Sequence, residues 1–240
     1  MITDVENQVP GTPPSLYYIR EFITVEQEQE LLAQVYAAPK PKWTTLKNRR
    51  LQNWGATPSG KQLVGLPEDL PGWLTRLAGQ LGQVGSFTED MRPPNHCLVN
   101  EYLPGQGIMP HEDGPAYYPT VATVSLGSHC VLNFYRRRCD GSPEASSMLD
   151  DPIGSEQRTP EFSVWVEPRS LLVLKDQVYT AYLHGIDPIE TDRRAGCINL
   201  PPGPEANDEA ECRRETRVSL TFRLTQRVMK SKLFALGKRL

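Results

Sequence analysis

The chain contains no apolar run near the ~18 residues that a membrane-spanning helix needs. Residues 1–15 are acidic and proline-rich, and they lack the basic start and the apolar stretch of a secretory signal. The composition, with 38% hydrophobic and 23% charged residues, is ordinary for a soluble globular protein. We therefore expect a protein that works inside the cell, in the cytoplasm and nucleus, without binding a membrane.

Cysteine is scarce, and its spacing does not suggest pairs. There are five cysteines, and no two of them form a C-x-x-C pair. An odd number of thiols suits a reducing compartment, and the spacing argues against a zinc site built on cysteine. The cysteines are Cys97, Cys130, Cys139, Cys197 and Cys212.

An excess of positive charge is also lacking, because the formal net charge is −3. The protein as a whole therefore does not attract polyanions, and any nucleic acid must bind through local basic patches. Residues 40–50 carry five basic side chains interleaved with Trp43, and residues 227–240 carry five more. Each patch can equally be solvated surface charge. A single-stranded or duplex nucleic acid is the expected partner, and the protein is expected to be a monomer.

Two amphipathic helices are predicted in the first third of the chain. Thr24, followed three residues later by Gln27, predicts a capping box that opens a helix over residues 25–37. Apolar residues at helical spacing predict a second helix over residues 72–82.

From residue 96 the pattern changes to short runs rich in Val, Leu, Thr and Tyr, separated by Pro and Gly. This spacing is typical of an all-β sandwich or barrel, so we expect a mainly β fold with flanking helices. A single domain over 1–240 would hold helices and lid loops to about 92, the β core over about 93–226, and a basic tail over 227–240. The polar, proline-rich segments 136–162 and 187–215 are predicted to be surface insertions, mobile or partly disordered.

Three residues form a candidate metal site. His111 and Asp113 are two apart, so on an extended strand end their side chains project to the same face. His184 ends another apolar strand and would complete a set of two histidines and one carboxylate. Such a set occupies three positions of an octahedral iron(II) ion, although zinc can use the same groups. His96 and His129 have no carboxylate two residues away and are interpreted as structural.

The strand 217–224 alternates apolar and polar residues. If the polar face with Arg217 and Arg223 looks into a barrel, the two guanidinium groups need anionic partners, and a short dicarboxylate could bridge them. Otherwise the strand is half-solvated and carries two surface arginines. Asn100 and Tyr102 share one face of a strand that leads to the H-x-D turn, where they could donate hydrogen bonds to a carboxylate.

These motifs together resemble the AlkB-like iron(II)- and 2-oxoglutarate-dependent dioxygenases. The pattern N-x-Y, P-G, H-x-D, H-G-I and R-x-[NS]-x-T-x-R is present in this order, and the resemblance runs from about residue 16 to 226. The segments "PPSLYYIREFI", "LQNWG" and "GIMPHEDGPAYYPTVATVSLGSH" look most like the AlkB branch numbered six.

The resemblance implies a double-stranded β-helix (jelly-roll) core and a set of site residues. Iron(II) would be held by His111, Asp113 and His184, which form the catalytic centre. The 2-oxoglutarate co-substrate would contact Arg217 and Tyr102 at its distal carboxylate, Arg223 and Asn100 near its 1-carboxylate, and the motif residues Ser219 and Thr221. Molecular oxygen and 2-oxoglutarate would generate a ferryl species that hydroxylates an N-methyl group, with release of formaldehyde.

The resemblance leaves the substrate open. Ser219 stands where many relatives have Asn, and Pro115 stands where nucleobase demethylases often have an acidic residue. The candidate substrate-binding residues are Arg49, Arg50, Trp54, Tyr117, Tyr118 and Lys175. Trp54 can equally be a residue of the core that follows a hairpin turn, and Tyr117 and Tyr118 can equally be core residues. Oxidative demethylation of N-alkylated DNA or RNA is the first hypothesis. The alternatives are the same chemistry on a protein or small molecule, and a non-catalytic jelly-roll module that binds nucleic acid.

Overall fold

The computed structural model describes residues 7–59, 64–65, 68–87, 92–137, 159–200 and 209–228. Within these ranges the helices are α1 (Val25–Ala37), α2 (Gly72–Gln83) and α3 (Asp176–Ala181), with a 3-10 turn at Lys40–Lys42. The strands are β1 (Leu16–Ile19), β2 (Thr44–Leu46), β3 (Arg49–Gly55), β4 (Pro58–Ser59), β5 (Val64–Gly65), β6 (His96–Tyr102), β7 (Ile108–His111), β8 (Tyr117–Leu126), β9 (Cys130–Arg136), β10 (Phe162–Val166), β11 (Leu171–Lys175), β12 (Tyr182–Ile186), β13 (Thr191–Arg193), β14 (Glu211–Arg213) and β15 (Arg217–Thr225).

Two antiparallel sheets form the core of the fold. The larger has the strand order β1-β11-β8-β15-β6-β3-β2, and the smaller has the order β10-β9-β12-β7. Apolar side chains from the inner faces of both sheets, including Leu172, Phe134 and Tyr182, pack into one cluster between them. This architecture confirms the expected mainly β fold with a jelly-roll core.

The helices α1 and α2 cover the outer face of the large sheet. A second cluster joins Val35 of α1 and Leu74 of α2 to outward-facing sheet residues such as Leu220. The capping box confirms the predicted start of α1, because Thr24 Oγ1 accepts from the amide of Gln27 and the Gln27 side chain accepts from the amide of Thr24. Both predicted helices are present with ends within one residue of expectation.

Strand β15 lies at the centre of the large sheet, between β8 and β6. All nine of its residues are buried. Its apolar side chains face the helices, and the alternate polar side chains, from Arg217 to Arg223, face the space between the sheets. The hypothesis of a polar face that looks into the barrel is therefore confirmed, and the alternative of surface arginines is wrong.

The segment 187–215 is more ordered than the sequence predicts. Its described part forms the antiparallel pair β13–β14, and Cys197 and Leu200 pack against Trp165 on the outer face of the small sheet. Residues 138–158, which make up most of the other insertion, and residues 229–240 of the basic tail lie outside the described residues. Within the described part of the chain, no helix has the length and apolarity to cross a membrane.

A buried ion pair joins Asp192 of β13 to Arg214, the residue that follows β14. Arg214 donates to both carboxylate oxygens of Asp192, from Nε over 2.6 Å and from Nη2 over 2.7 Å. Arg214 also donates to the main-chain carbonyl of Asp187. Because both partners are almost fully buried, loss of one leaves the other charge without compensation.

We expect Asp192→Asn to lower the free energy of unfolding by about 3–5 kcal/mol, the usual cost of an unpaired buried charge. Denaturant unfolding of the purified variant measures this change. The control is Glu211→Gln, which breaks the exposed pair with Arg193 on the same ribbon and should leave the unfolding midpoint unchanged. Equal effects of the two substitutions would show that burial of the Asp192 pair is energetically irrelevant.

Candidate active site

The three candidate metal ligands lie together between the sheets. His111, at the end of β7, is the register partner of His184 on β12, and the two ring centroids are 4.5 Å apart. Asp113 follows β7 directly, and its Oδ2 lies 3.7 Å from Nε2 of His184. The structure thus brings the predicted triad together from two neighbouring strands of the small sheet.

Burial and charge set the protonation of these ligands. Burial lowers the pKa of His184 to about 3 and also lowers the pKa of His111, so both imidazoles are neutral at pH 7. Burial alone would raise the pKa of Asp113, but Arg223 and the two histidines outweigh it and hold the pKa at about 2. Two neutral imidazoles and one carboxylate are the protonation states in which these groups bind a metal ion.

The orientation of His111 is fixed by its backbone. Its Nδ1 lies 2.9 Å from the carbonyl oxygen of Met109. Because a carbonyl only accepts, Nδ1 carries the proton and Nε2 keeps the lone pair that a metal would use. A hydrogen bond of this kind is the usual way in which a protein orients a histidine ligand.

Arg223 holds the carboxylate of the triad. Its Nε donates to Oδ1 of Asp113 over 2.7 Å, and its Nη2 contacts the same oxygen. Both side chains are buried, at 8% and 2% exposure. The guanidinium therefore positions Asp113, and the predicted contact of Arg223 with the 1-carboxylate of 2-oxoglutarate stays a prediction.

Arg217 lies at the other end of β15 from Arg223 and on the same face of the strand. Its Nη2 donates to Oγ of Ser125 over 2.8 Å, and its Cζ lies 5.8 Å from the ring centre of Tyr102. Its Nε is buried without a hydrogen-bond partner, and within the described ranges no acidic side chain forms a salt bridge with it. A buried cation in this state is suited to an anionic ligand.

The remaining residues of the predicted co-substrate site share this face. Ser219 is the register partner of Asn100, and Arg217 is the register partner of Tyr102. These four residues and Thr221 are all buried. The polar side chains between the two arginines therefore share one buried face, and the end with Arg217 has, within the described chain, an unpaired positive charge that suits a carboxylate.

His184 lies close to both His111 and Asp113, but the three side chains do not converge on one point. In the residues that the structure describes, no three His, Cys, Asp or Glu side chains form a cluster already arranged to hold an ion. The 3.7 Å between Asp113 and His184 exceeds the about 3 Å between adjacent ligands that each lie ~2.1 Å from one ion. The chemistry of the donor set nevertheless fits iron(II), because it is two imidazoles and a carboxylate.

Comparison with known proteins decides the family. The model of the 2OG-Fe(II) oxygenase superfamily matches residues 15–223. The chain belongs to this superfamily. It is also 44% identical over 241 residues to the Danio rerio protein "Probable RNA/DNA demethylase ALKBH6", and the alignment covers 99% of this chain and 97% of that protein.

More distant relatives extend the comparison. The chain is 30% identical to "Uncharacterized protein L905" of Acanthamoeba polyphaga mimivirus, over 85% of this chain and 82% of that protein. Among solved structures, "The structure of OsALKBH1" matches with a TM-score of 0.55 and 16% identity, over 89% of this chain and 98% of that one. A Pseudomonas putida prolyl-4-hydroxylase matches with a TM-score of 0.50, 14% identity and coverages of 93% and 99%. At these identities the solved structures show the fold alone.

The protein is therefore an iron(II)- and 2-oxoglutarate-dependent dioxygenase. Iron(II), 2-oxoglutarate and O2 supply the oxidising chemistry, and the protein supplies their positions and a buried site. His111, Asp113 and His184 would hold the iron, and Arg217 with Tyr102 would hold the distal carboxylate of the co-substrate.

Strand β3 separates the candidate substrate residues onto two faces. Arg49 faces the site, where its Nε donates to Oδ1 of Asn100 over 3.2 Å. Arg50 lies on the opposite face, where it forms a two-pronged ion pair with Glu101. Trp54 shares that outer face and packs edge-on against Trp73. Arg50 and Trp54 therefore do not line the space around the triad, and Trp54 packs in the core, as the alternative interpretation of this residue expects. A contact of either residue with a substrate stays a prediction.

The same alternation divides the other candidates. Tyr117 faces the site, with its ring 5.1 Å from Cζ of Arg223. Tyr118 packs against the outer cluster beneath the helices. Lys175 shares the strand parity of Leu171 and Val173, which belong to that outer cluster. The prediction that Tyr118 and Lys175 line the substrate pocket is therefore corrected, and Tyr117 remains a candidate.

The two other histidines lie outside the ligand set. His129 stacks on Trp165 outside the barrel, with ring centroids 4.5 Å apart. His96 is buried on the inner face of β6 and stacks on Tyr117, with ring centroids 5.3 Å apart. Neither belongs to the triad, as expected, but His96 lines the same space as Arg223, its register partner.

Sequence reasoning missed two residues of the site. Ser125 accepts the hydrogen bond from Arg217, and Tyr179 of α3 donates to the loop that carries Asp113. The polar inward position of Ser125 in β8 was a signal in the alternation of "TVSL". The position of Tyr179 had no signal, because α3 interrupts the apolar pattern between β11 and β12.

We expect Arg217→Met to weaken 2-oxoglutarate binding at least about 30-fold, equivalent to about 2 kcal/mol, because the distal carboxylate loses a buried charge partner. Isothermal titration with 2-oxoglutarate in the presence of Mn2+ measures this loss. In the absence of 2-oxoglutarate the variant should be as stable as the wild type or more so, since a buried cation with an incomplete set of partners is removed. Arg193→Met, at an exposed arginine, is the control. Unchanged binding would place the distal carboxylate elsewhere.

Proposed function

We propose that this oxygenase demethylates N-alkylated bases of DNA or RNA. The main evidence is the 44% sequence identity, over almost the full length of both chains, with a relative named as a probable RNA/DNA demethylase. It is supported by a triad whose three side chains come together and by a buried arginine with no acidic partner within the described chain. Assembly of all three ligands speaks against a non-catalytic jelly-roll module.

The overall reaction balances with the co-substrates of the family. An N-methyl group, O2 and 2-oxoglutarate give an N-hydroxymethyl group, succinate and CO2, and the hydroxymethyl group then leaves as formaldehyde. His111 and His184, kept neutral by burial, and the ionised Asp113 would hold the metal. Arg217 would neutralise and orient the co-substrate beside it.

The β2–β3 hairpin supports a role in holding the substrate. Its residues Thr44, Thr45, Leu46 and Lys47 are exposed at the edge of the large sheet. It carries Arg49, the candidate arginine that faces the site. An arginine at this place can meet a phosphate or another anionic group of the substrate. We further propose that the protein acts as a monomer in the cytoplasm and nucleus, where nucleic acid is present.

One observation favours a protein or small-molecule substrate instead. Two of the five basic residues in the patch 40–50 are already neutralised, Lys42 by Glu68 and Arg50 by Glu101. The net charge of −3 also weakens any general attraction to nucleic acid. Product formation from methylated oligonucleotides and the salt dependence of oligonucleotide binding distinguish the two substrate classes.

When the protein, iron(II), ascorbate and 2-oxoglutarate are mixed with a methylated oligonucleotide that matches the enzyme's preference, we expect formaldehyde and an equal increase in succinate over the amount formed without oligonucleotide. A panel of N-methylated single-stranded and duplex DNA and RNA oligonucleotides provides the test. Asp113→Ala should abolish both products, because the metal loses its only anionic protein ligand. If the wild type forms succinate but no oligonucleotide increases it or yields formaldehyde, the nucleic-acid substrate is refuted and the oxygenase stands.

We expect Arg49→Ala to weaken oligonucleotide binding and to reduce the slope of log K against log salt by about 0.7 for a single strand, the share of one phosphate contact. Fluorescence anisotropy at several salt concentrations measures the slope. Arg50→Ala is the matched control, since its guanidinium lies on the other face and is paired with Glu101. Equal changes in slope for the two variants would contradict a phosphate contact at Arg49.

A further inference from the structure

Tyr179 reaches from α3 to the loop that follows β7. Its hydroxyl donates to the carbonyl oxygen of Gly114 over 2.6 Å, and Gly114 is the residue after Asp113. The short helix α3 begins at Asp176, whose φ of 44° is in the left-handed region that non-glycine residues rarely adopt. Such strained positions persist only where the surrounding structure holds them, and they concentrate at functional sites.

The loop beyond Asp113 has few other restraints. Gly114 has a φ of 90°, and in the described chain no backbone–backbone hydrogen bond outside regular secondary structure involves residues 112–116. The Asp113 carboxylate is held by Arg223 at Oδ1, while Oδ2 faces His184. Rotation of the peptide between Asp113 and Gly114 would move Oδ2 relative to His184, because Asp113 belongs to this loop whereas His184 is fixed on β12. The hydrogen bond from Tyr179 restrains that peptide.

We propose that Tyr179 is a positioning residue for the metal ligand Asp113. Arg223 fixes one oxygen of the carboxylate from the large sheet, and Tyr179 fixes the backbone behind it from α3. Together they restrict Oδ2 to the side of His184 before an ion binds. Tyr179 does not touch iron or co-substrate in this role, and it acts only through the loop. The proposal rests on the dioxygenase assignment and is independent of which substrate the enzyme oxidises.

Tyr17→Phe is a closely matched control for Tyr179→Phe. Each substitution deletes one phenol hydroxyl that donates to a backbone carbonyl, of Pro14 in the case of Tyr17. Both residues are partly exposed, and Tyr17 lies on β1 at the edge of the large sheet, away from the triad. A purely structural role predicts similar consequences for the two variants.

The readout is binding of Mn2+, a redox-inert substitute for iron(II), measured from the electron paramagnetic resonance signal of the free ion. We expect Tyr179→Phe to bind Mn2+ about 10–100-fold more weakly than the wild type, the usual effect of losing a group that orients a metal ligand. Tyr17→Phe should bind as the wild type does. The melting temperatures of the two metal-free variants should differ little. Saturating iron(II) should restore the kcat of Tyr179→Phe for succinate formation, because the missing bond affects occupancy of the site.

Three results would overturn the proposal. One is wild-type Mn2+ affinity in Tyr179→Phe. Another is a kcat that stays low at saturating iron(II), which would indicate a direct part in the reaction. The third is a metal-free Tyr179→Phe protein that is unfolded while Tyr17→Phe is folded, since Tyr179 would then be a determinant of the fold itself.

Discussion

Two buried guanidinium groups on the inner face of β15 are the constraint on which this structure depends. A charge removed from water is tolerated only with an opposite charge or a full set of hydrogen bonds. The apolar residues of the same strand, such as Leu220 and Phe222, form the core beneath the helices. The central strand of the large sheet therefore contributes apolar side chains to the core on one face and both arginines to the site on the other.

The two arginines are satisfied in different ways, and the difference divides the site. Arg223 is neutralised within the chain by Asp113, so the metal ligand is held in place by the protein. Among the described residues, Arg217 donates a hydrogen bond to the hydroxyl of Ser125 and lies over the ring of Tyr102, with no acidic partner. The carboxylate of Asp113 is thus oriented by the protein, while the other end of the strand face retains a positive charge with no acidic partner among the described residues. A diacid co-substrate fits because it brings the missing negative charge with it.

The same alternation of faces governs the approach to the site. Arg49 and Arg50 are neighbours in the chain, but one contacts Asn100 inside the barrel and the other pairs with Glu101 beneath the helices. Only Arg49 faces the space that holds the triad. A basic patch that looks continuous in the sequence is therefore divided by the sheet, and part of its charge stabilises the fold.

Sequence by itself determined the local elements and the chemistry-bearing residues. The capping box of α1, the period-two alternation of β15 and the H-x-D spacing are all set by residues a few positions apart, so their geometry follows from backbone periodicity. The H-x-D spacing accordingly identifies His111 and Asp113, and His184 is identified as the histidine that ends another apolar strand. The family resemblance then gave the jelly-roll core, and the superfamily match agrees with it.

Tertiary structure alone decided which face of each strand meets the site. Alternation assigns Trp54 and Tyr118 to one of two faces, but only the packing of the helices shows that this face is the outer one. It also decided the contact between Tyr179 and Gly114, the pairing of Asp192 with Arg214, and the ordered ribbon within 187–215. These contacts join residues far apart in the chain, and no local periodicity specifies which distant groups the closing of the barrel will bring together.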